Sequence, residues 1–415
     1  APRTVAVPVG VEDCDTEADI ERARLVGPST MELGHARAVI SNDIAPLTPH
    51  DKNLIDVVGA ALAAPLLAAD AVPRTDVSAM DGYAVSGPGP WLLRPEVRPA
   101  GDTSDFSLDE GEAARIATGA HLPPGASAVI RDEFVVTRGQ FLSKHPGTPD
   151  RDDARRRGED WHPGHVIAPE GSPVTPALIS AAASSEVRQA SVRGPVRVHT
   201  VTTGDEIRRD GPLRPGQTRD ALGPILSHYI HGVGALPVTN AHIRDTADSF
   251  DELLQQTTGV DVIVVVGATG MGAADHLRSA ITHAGARLLV SRVKCRPGGS
   301  LLVATLPDGR VVLGLPGNPY AAVSMLLVML PSIIDALTAQ SQRAPLSGSI
   351  ANAGEVSIDR TRIVPVTSTP DGRWHADQNV RTGHLAGMIN RPALALIPAD
   401  APNNAVAEII LIPTL

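Results

Sequence analysis

The stretch "DVIVVVGATGMGAADHLRSAITHAG", Asp261–Gly285, reads as one strand, one glycine-rich loop and one helix. The unbroken apolar, β-branched run Val262–Val266 suits a strand buried on both faces, as strands inside a parallel sheet are. Leu277, Ala280, Ile281 and Ala284 then recur at helical spacing, and Gly285 closes the helix. Similar units lie on either side. "VRVHTV" runs into "TTGDE", and "RVVLGL" runs into "PGNPYAAVSMLL", where Asn318 can cap a helix and Pro319 suits its first position. Strands alternating with helices from Gly194 to about Gln340 therefore imply an α/β domain around a parallel sheet.

Ligands of such sheets bind in the crevice at the carboxyl ends of the strands. The loops expected there carry Asp205 and Glu206, then Thr269, Gly270, Gly272 and Asp275, then Gly317 and Asn318. Glycines allow backbone amides to approach an anion, and a following helix start favours negative charge. The middle loop lacks the lysine of a P-loop, and Asp275 stands where the last glycine of a dinucleotide fingerprint would be. Downstream, "VSRVKCRPGGS", read as a strand, puts Arg292, Lys294 and Arg296 on one face and Val293 and Cys295 on the other. Such a comb is either a solvated edge or a clamp for phosphate or another oxyanion.

The totals bound the rest. With 415 residues the chain exceeds one hydrophobic core, and 36 prolines with 38 glycines imply many turns. A net charge of −10 argues against a general nucleic-acid binder. The most apolar window, "AAVSMLLVMLPSIIDAL", is interrupted by Ser324, Pro331, Ser332 and Asp335 and reads as a buried helix, with no membrane partner. Two distant cysteines fit a reducing compartment, so the cytoplasm is expected.

Elsewhere, "EADIERARLVG" could form a short helix, and the Ala/Leu/Val-rich run Leu54–Ala71 suggests another, with Pro65 kinking or ending it. Thr175 and Pro176 mark a further helix start, expected to pack near the Leu54 segment. Short strands such as "AVIRDEFVV" make residues 73–160 a small β domain, and the charge run "RDDARRRGED" reads as a solvated turn. "TRIVPVTS", "ALALIPAD" and "AVAEIILIPTL" imply a closing β domain. Pairs of histidines in "WHPGH" and "SHYIH" lack further metal-ligand partners, and there is no G-x-S-x-G elbow. One short segment stands apart. "SAMDGYAV", Ser78–Val85, places one of only three tyrosines beside an Asp-Gly turn whose chemistry demands neither Met80 nor Tyr83.

"DVSAMDGYAV", "TGAHLPPGASAVI", "RRRGED", "TTGDE", "RPGG" and "GLPGNP" occur in the order of one family. From about Leu47 to the C-terminus the chain resembles the molybdopterin molybdenumtransferases of the MoeA and gephyrin E-domain type. The resemblance implies an α/β multidomain fold with a MoaB/Mog-like three-layer molybdopterin-binding domain at residues 194–340. It implies an elongated domain of two segments at residues 1–72 and 161–193, an inserted β domain at 73–160 and a β-barrel-like domain at 341–415. It further implies a homodimer that inserts molybdate into adenylylated molybdopterin, with Mg²⁺ and release of AMP. Asp81, Asp160, Glu206, Asp245 and Asp275 are then its catalytic acids, and Glu206, Asp245 and Asp275 its metal ligands. Thr118, Thr203, Gly204, Thr269, Gly270, Gly272, Arg292, Arg296, Gly298, Pro316, Gly317 and Asn318 fall at cofactor-binding positions. On this reading Met80 and Tyr83 pin the turn so that Asp81 enters a cleft shared with the α/β domain of the other subunit. The chain departs from the family at Arg292 and Arg296, where lysine is usual, at Gly299, where a further lysine is usual, and at "DAL", Asp220–Leu222, in place of "DSN". A paralogue that binds molybdopterin or a nucleotide-linked pterin without turnover is the main alternative. An oxidoreductase using NAD(P)H in the crevice and a purely structural scaffold are further ones.

Overall fold

The computed structural model describes residues 30–269, 276–341 and 344–414. The helix expected at "EADIERARLVG" lies outside these residues, as do Gly270, Gly272 and Asp275.

The α/β part contains β1 (Arg197–Thr203), α1 (Leu226–Gly232), β2 (Leu236–Ile243), α2 (Ala247–Gln256), β3 (Val262–Val266) and α3 (His276–His283). It continues with β4 (Arg287–Val290), β5 (Leu302–Thr305), β6 (Val311–Leu315) and α4 (Pro319–Thr338). The sheet order is β2-β1-β3-β6-β5-β4. The first four strands are parallel, as the sequence implies, but β5 runs antiparallel to both of its neighbours, β6 and β4, so that β4 points the same way as the first four. The cause is local. Leu306–Arg310, "LPDGR", makes a hairpin turn in which the Leu306 amide bonds to the Arg310 carbonyl, so no crossover helix separates β5 from β6.

Alternation along the strands sorts two cores. Val262, Val264 and Val266 join Val311, Leu313 and Leu315 on one face, while Ile263, Val265 and Val312 face α2 and α3 on the other. Because both faces are covered, no polar residue interrupts β3. Helix α4 is long and apolar enough for a membrane span, yet most of it is buried inside the protein. Its neighbours explain this. It packs with the sheet, with the helix Leu33–Asp43, and with Ile363, Leu394 and Leu396 of the C-terminal strands. Arg37 of that helix donates to both carboxylate oxygens of Glu408 and to the Val328 carbonyl, tying three parts of the chain together.

Residues 347–411 close into a five-stranded barrel: Thr361–Ser368 pairs with Trp374–Ala376 on one side and Ala393–Ile397 on the other. Ser347–Ile350 and Ala405–Leu411 complete the ring, and Cys295–Arg296 adds to it in parallel.

The inserted sheet has the order 128–131, 82–85, 112–116, 91–98, 141–144, 135–138. "AVIRDEFVV" supplies both of its edge strands, joined by the three-residue turn Asp132–Phe134, so the sheet must curl until its edges approach. The Leu54–Ala71 run is not helical. It forms a 3₁₀ turn at Leu54–Asp56 and the short strands Ala61–Leu62 and Leu66–Leu67, paired with Val192–Arg193 and with Val166 and Ala168. Partners about a hundred residues or more away in sequence override the local helical propensity of Ala and Leu. The Pro176–Ser184 helix does start under a Thr175 cap, and Leu178 and Ala182 pack with Leu54.

Candidate active site

The ends of β1, β3 and β6 meet as the sequence suggests, and glycine is what lets them. Gly267 has φ +103, its amide bonds to the Leu315 carbonyl at 3.0 Å, and a Cβ there would lie 2.8 Å from Thr203 Cγ2. A Cβ on Gly317 would come within 3.7 Å of Gly267 Cα. Thr203, Gly204, Gly267, Pro316 and Gly317 therefore form one crevice. Thr269 joins it to a fourth segment, its hydroxyl 3.2 Å from that of Ser300.

Two groups at the crevice are buried without a hydrogen-bond partner, the Thr203 hydroxyl and Oδ1 of Asp245. Burial raises the Asp245 carboxyl above its ordinary range; the negative charges of Asp205 and Glu206 push the same way, and His276 opposes them. Asp205, Glu206 and Asp245 thus share one electrostatic environment. Glu206 folds over Gly204, whose carbonyl also meets His242 Nε2 at 3.1 Å. Among the described residues no group of three or more His, Cys, Asp or Glu is gathered tightly enough to hold a metal alone. Asn318 occupies the cap position of α4, but its side chain makes no capping bond, contrary to expectation, and Pro319 follows as the first helical residue.

The "VSRVKCRPGGS" segment keeps the expected alternation although only Cys295–Arg296 is a strand: Val293 and Cys295 are buried, Lys294 and Arg296 exposed. The comb of three cations is nonetheless broken, because Lys294 pairs with Glu32 at 2.9 Å. Burial pushes the Cys295 thiol up to about 12, which makes it a packing residue. A side chain on Gly298 would collide with Met325, and the backbone there has φ +92. A Cβ on Gly299 would lie 2.8 Å from the Val293 carbonyl oxygen and 3.0 Å from that of Cys295.

Asp81 is held at the edge of the inserted sheet. Its Oδ1 accepts from the Thr118 amide at 2.7 Å and the Thr118 hydroxyl at 2.9 Å. These bonds hold its carboxyl below the usual range, with a smaller contribution from Arg115. Met80 does not pin the turn. Its side chain is exposed, and its carbonyl takes the Ser78 hydroxyl, while Tyr83 is buried with Val85, Trp91 and Ile130. Removing the Thr118 hydroxyl in Thr118→Val should raise the Asp81 midpoint. The ionised carboxylate stabilises the fold above the ordinary carboxylate range, and that gain is lost as pH falls through Asp81's own lower midpoint. The variant should accordingly lose stability against wild type at neutral pH, the difference closing in acid, as measured by urea unfolding across that range.

Asp160 pairs with Arg155, and the charge run around it is a built network rather than a solvated turn. Arg156 bridges Asp76 and Asp152, and Asp153, 3% exposed, takes Arg131 and Arg151. Asp81 and Thr118 find their partners within the inserted sheet, whereas the crevice loops bond to one another. Sequence reasoning missed His242, Ser300 and Arg115. None of them carries a local signal: Arg115 is set opposite Tyr83 by the register of two strands whose burial does not alternate.

In "DAL", the Leu222 and Gly223 amides both donate to Asp220 Oδ1, and Leu222 is buried in the main core. Asn240 reaches in from β2 to donate to the Gly223 carbonyl, and Arg209 in turn donates to Asn240.

The pattern of the MoeA N-terminal region (domain I and II) matches residues 31–185, and that of a probable molybdopterin binding domain matches residues 199–335. The chain is 27% identical over 375 residues to the molybdopterin molybdenumtransferase of Synechococcus elongatus, covering 85% of this chain and 91% of that protein. It is 32% identical over 286 residues to molybdopterin molybdenumtransferase 2 of Mycobacterium tuberculosis, covering 64% and 69%. A solved structure of the molybdopterin biosynthesis MoeA protein from Pyrococcus horikoshii shares the fold at 23% identity, with a TM-score of 0.69 over 93% of this chain and 100% of that one.

Proposed function

Because the chain belongs to the molybdopterin molybdenumtransferase family, we propose that it inserts molybdate into adenylylated molybdopterin and releases AMP. The observation that carries this reading is the pair of orphaned polar groups, Thr203 Oγ1 and Asp245 Oδ1, in a crevice walled by glycine backbone. Buried polar atoms without partners are costly, so their persistence at one spot points to a ligand that satisfies them. A pyrophosphate flanked by glycine amides, with a cation beside the acids, supplies what is missing.

An Mg²⁺ ion fits this donor set. Asp245 and Glu206 would hold it, with Asp275 as the further expected ligand, and it would neutralise phosphate oxygens during cleavage. The residues themselves have distinct roles. Thr203 and Thr269 orient the phosphates, Arg292 and Arg296 favour the anionic ligands, and Asp81 with Thr118 closes the site from the inserted sheet. Since Asp81 is satisfied within its own sheet and stands at its edge, a second copy of the chain is the proposed source of the turn that faces each crevice.

Binding without turnover is the second reading, and Gly299 favours it: the backbone leaves no room there for a long cationic side chain. Incubation with purified adenylylated molybdopterin, Mg²⁺ and molybdate, following AMP, separates the two. Binding with no AMP formed would leave only the second.

Asp245→Asn tests the crevice independently. A carboxyl held above its ordinary range binds its proton more tightly when folded, so stability falls as pH rises between the unfolded and folded midpoints. Removing the charge should therefore stabilise the protein at neutral pH in urea unfolding, while AMP release falls on the order of tenfold or more. A variant that is less stable at neutral pH would show that the carboxylate is not electrostatically strained.

A further inference from the structure

We propose that Arg115 is a positioning residue that holds the Asp81–Thr118 pair in its working geometry, and that Tyr83 is retained to hold Arg115. The inference rests on the functional reading above and deepens it. Three neighbouring strands end at one edge of the inserted sheet. In their register Tyr83 lies opposite Arg115, and Gly82 lies opposite both Ile116 and Arg131. Thr118 follows the first outer strand, Asp81 precedes the central one, and Asp132 follows the second outer one.

Arg115 spans all three. Its guanidinium sits 5.5 Å over the Tyr83 ring, donates to the Tyr83 hydroxyl at 3.1 Å, and reaches across the central strand to Asp132 Oδ2 at 2.8 Å. The Asp132 amide points back to the Asp81 carbonyl at 3.4 Å. The Asp81 turn is thus gripped from one side by Thr118 and from the other by Asp132, and Arg115 links the two strands that carry the grips. The other cation nearby, Arg131, is engaged with Asp153 and Glu133 and faces away from this linkage.

This also accounts for a tyrosine in a chain that has only three. The ring supplies core area beneath the sheet, and the hydroxyl supplies an acceptor at its edge; phenylalanine would provide only the first. Arg115 is half-exposed, so its cost of burial is small, and its planar fork serves two acceptors at once.

The test uses the full-length protein and the variants Arg115→Met, Arg115→Lys and Tyr83→Phe. AMP release gives kcat and KM for adenylylated molybdopterin, and ¹³C NMR of aspartate-labelled protein, assigned through Asp81→Asn, gives the Asp81 titration. Arg115→Met should lower kcat about tenfold with KM little changed, and should raise the Asp81 midpoint. Arg115→Lys should recover part of both, and Tyr83→Phe should move both in the same direction by less. If Arg115→Met is folded and Asp81 titrates as in wild type, the proposal is overturned, whatever kcat does, because Arg115 would not be acting through Asp81. Should Arg115→Met not fold, Tyr83→Phe, which loses one oxygen atom, decides by the same two readouts. Should the wild type release no AMP, the molybdate-insertion reading fails, and the titration still decides the role of Arg115.

Discussion

Asp81→Asn should slow AMP release about a hundredfold at saturating substrate while the protein stays folded and loses, at neutral pH, only the stability that the ionised carboxylate supplies. The amide keeps an oxygen for the two Thr118 donors, so the turn retains its hydrogen bonds and loses only its charge. The Asp81 side chain itself is exposed and lies at the end of a sheet, so nothing in the core depends on that charge. A rate-specific loss would assign the carboxylate to the reaction. Wild-type turnover in the variant would reduce the Asp-Gly pair to turn chemistry, and the proposed two-sided site would lose its second side.

Gly299→Lys should fail to improve the enzyme, although family resemblance invites it as a repair. The new Cβ would lie 2.8 Å from the Val293 carbonyl and 3.0 Å from that of Cys295. These are backbone atoms and cannot swing away. Both belong to a segment anchored in the main core through Val293 and Cys295. Overpacking of this kind costs about 1–3 kcal/mol, to be read as a lower urea midpoint, and the displaced loop should carry Ser300 away from Thr269. AMP release at or below wild-type rate is the expected accompaniment. A stable Gly299→Lys with faster turnover would mean that the segment is more adaptable than its packing indicates.

Much of the α/β part was legible. The Val262–Val266 run, the spacing of Leu277, Ala280 and Ile281, and Pro319 behind Asn318 are local signals, because strand and helix burial repeat every two and 3.6 residues. The convergence of Thr203, Gly267 and Gly317 followed from one topological rule about parallel strands. The Leu54–Ala71 segment failed for the opposite reason. Its structure is settled by pairing with Val166–Ala168 and Val192–Arg193, and no local pattern reports a partner that distant. The charge run at 151–160 failed likewise: alternating acids and arginines look the same whether they face water or, as here, Asp76 and Arg131.

By itself the sequence determined the strand and helix periodicities of the α/β sheet, the glycines at its edge, and the ordered motifs that mark the family. Only the tertiary structure decided that Lys294 is spent on Glu32, that Asn318 does not cap, that Thr203 and Asp245 are left unsatisfied, and that Arg115 bridges three strands. Residue type and spacing specify which chemistry a side chain can perform. Which partner it meets depends on register, curvature and burial, and those are set by contacts between segments far apart in the chain.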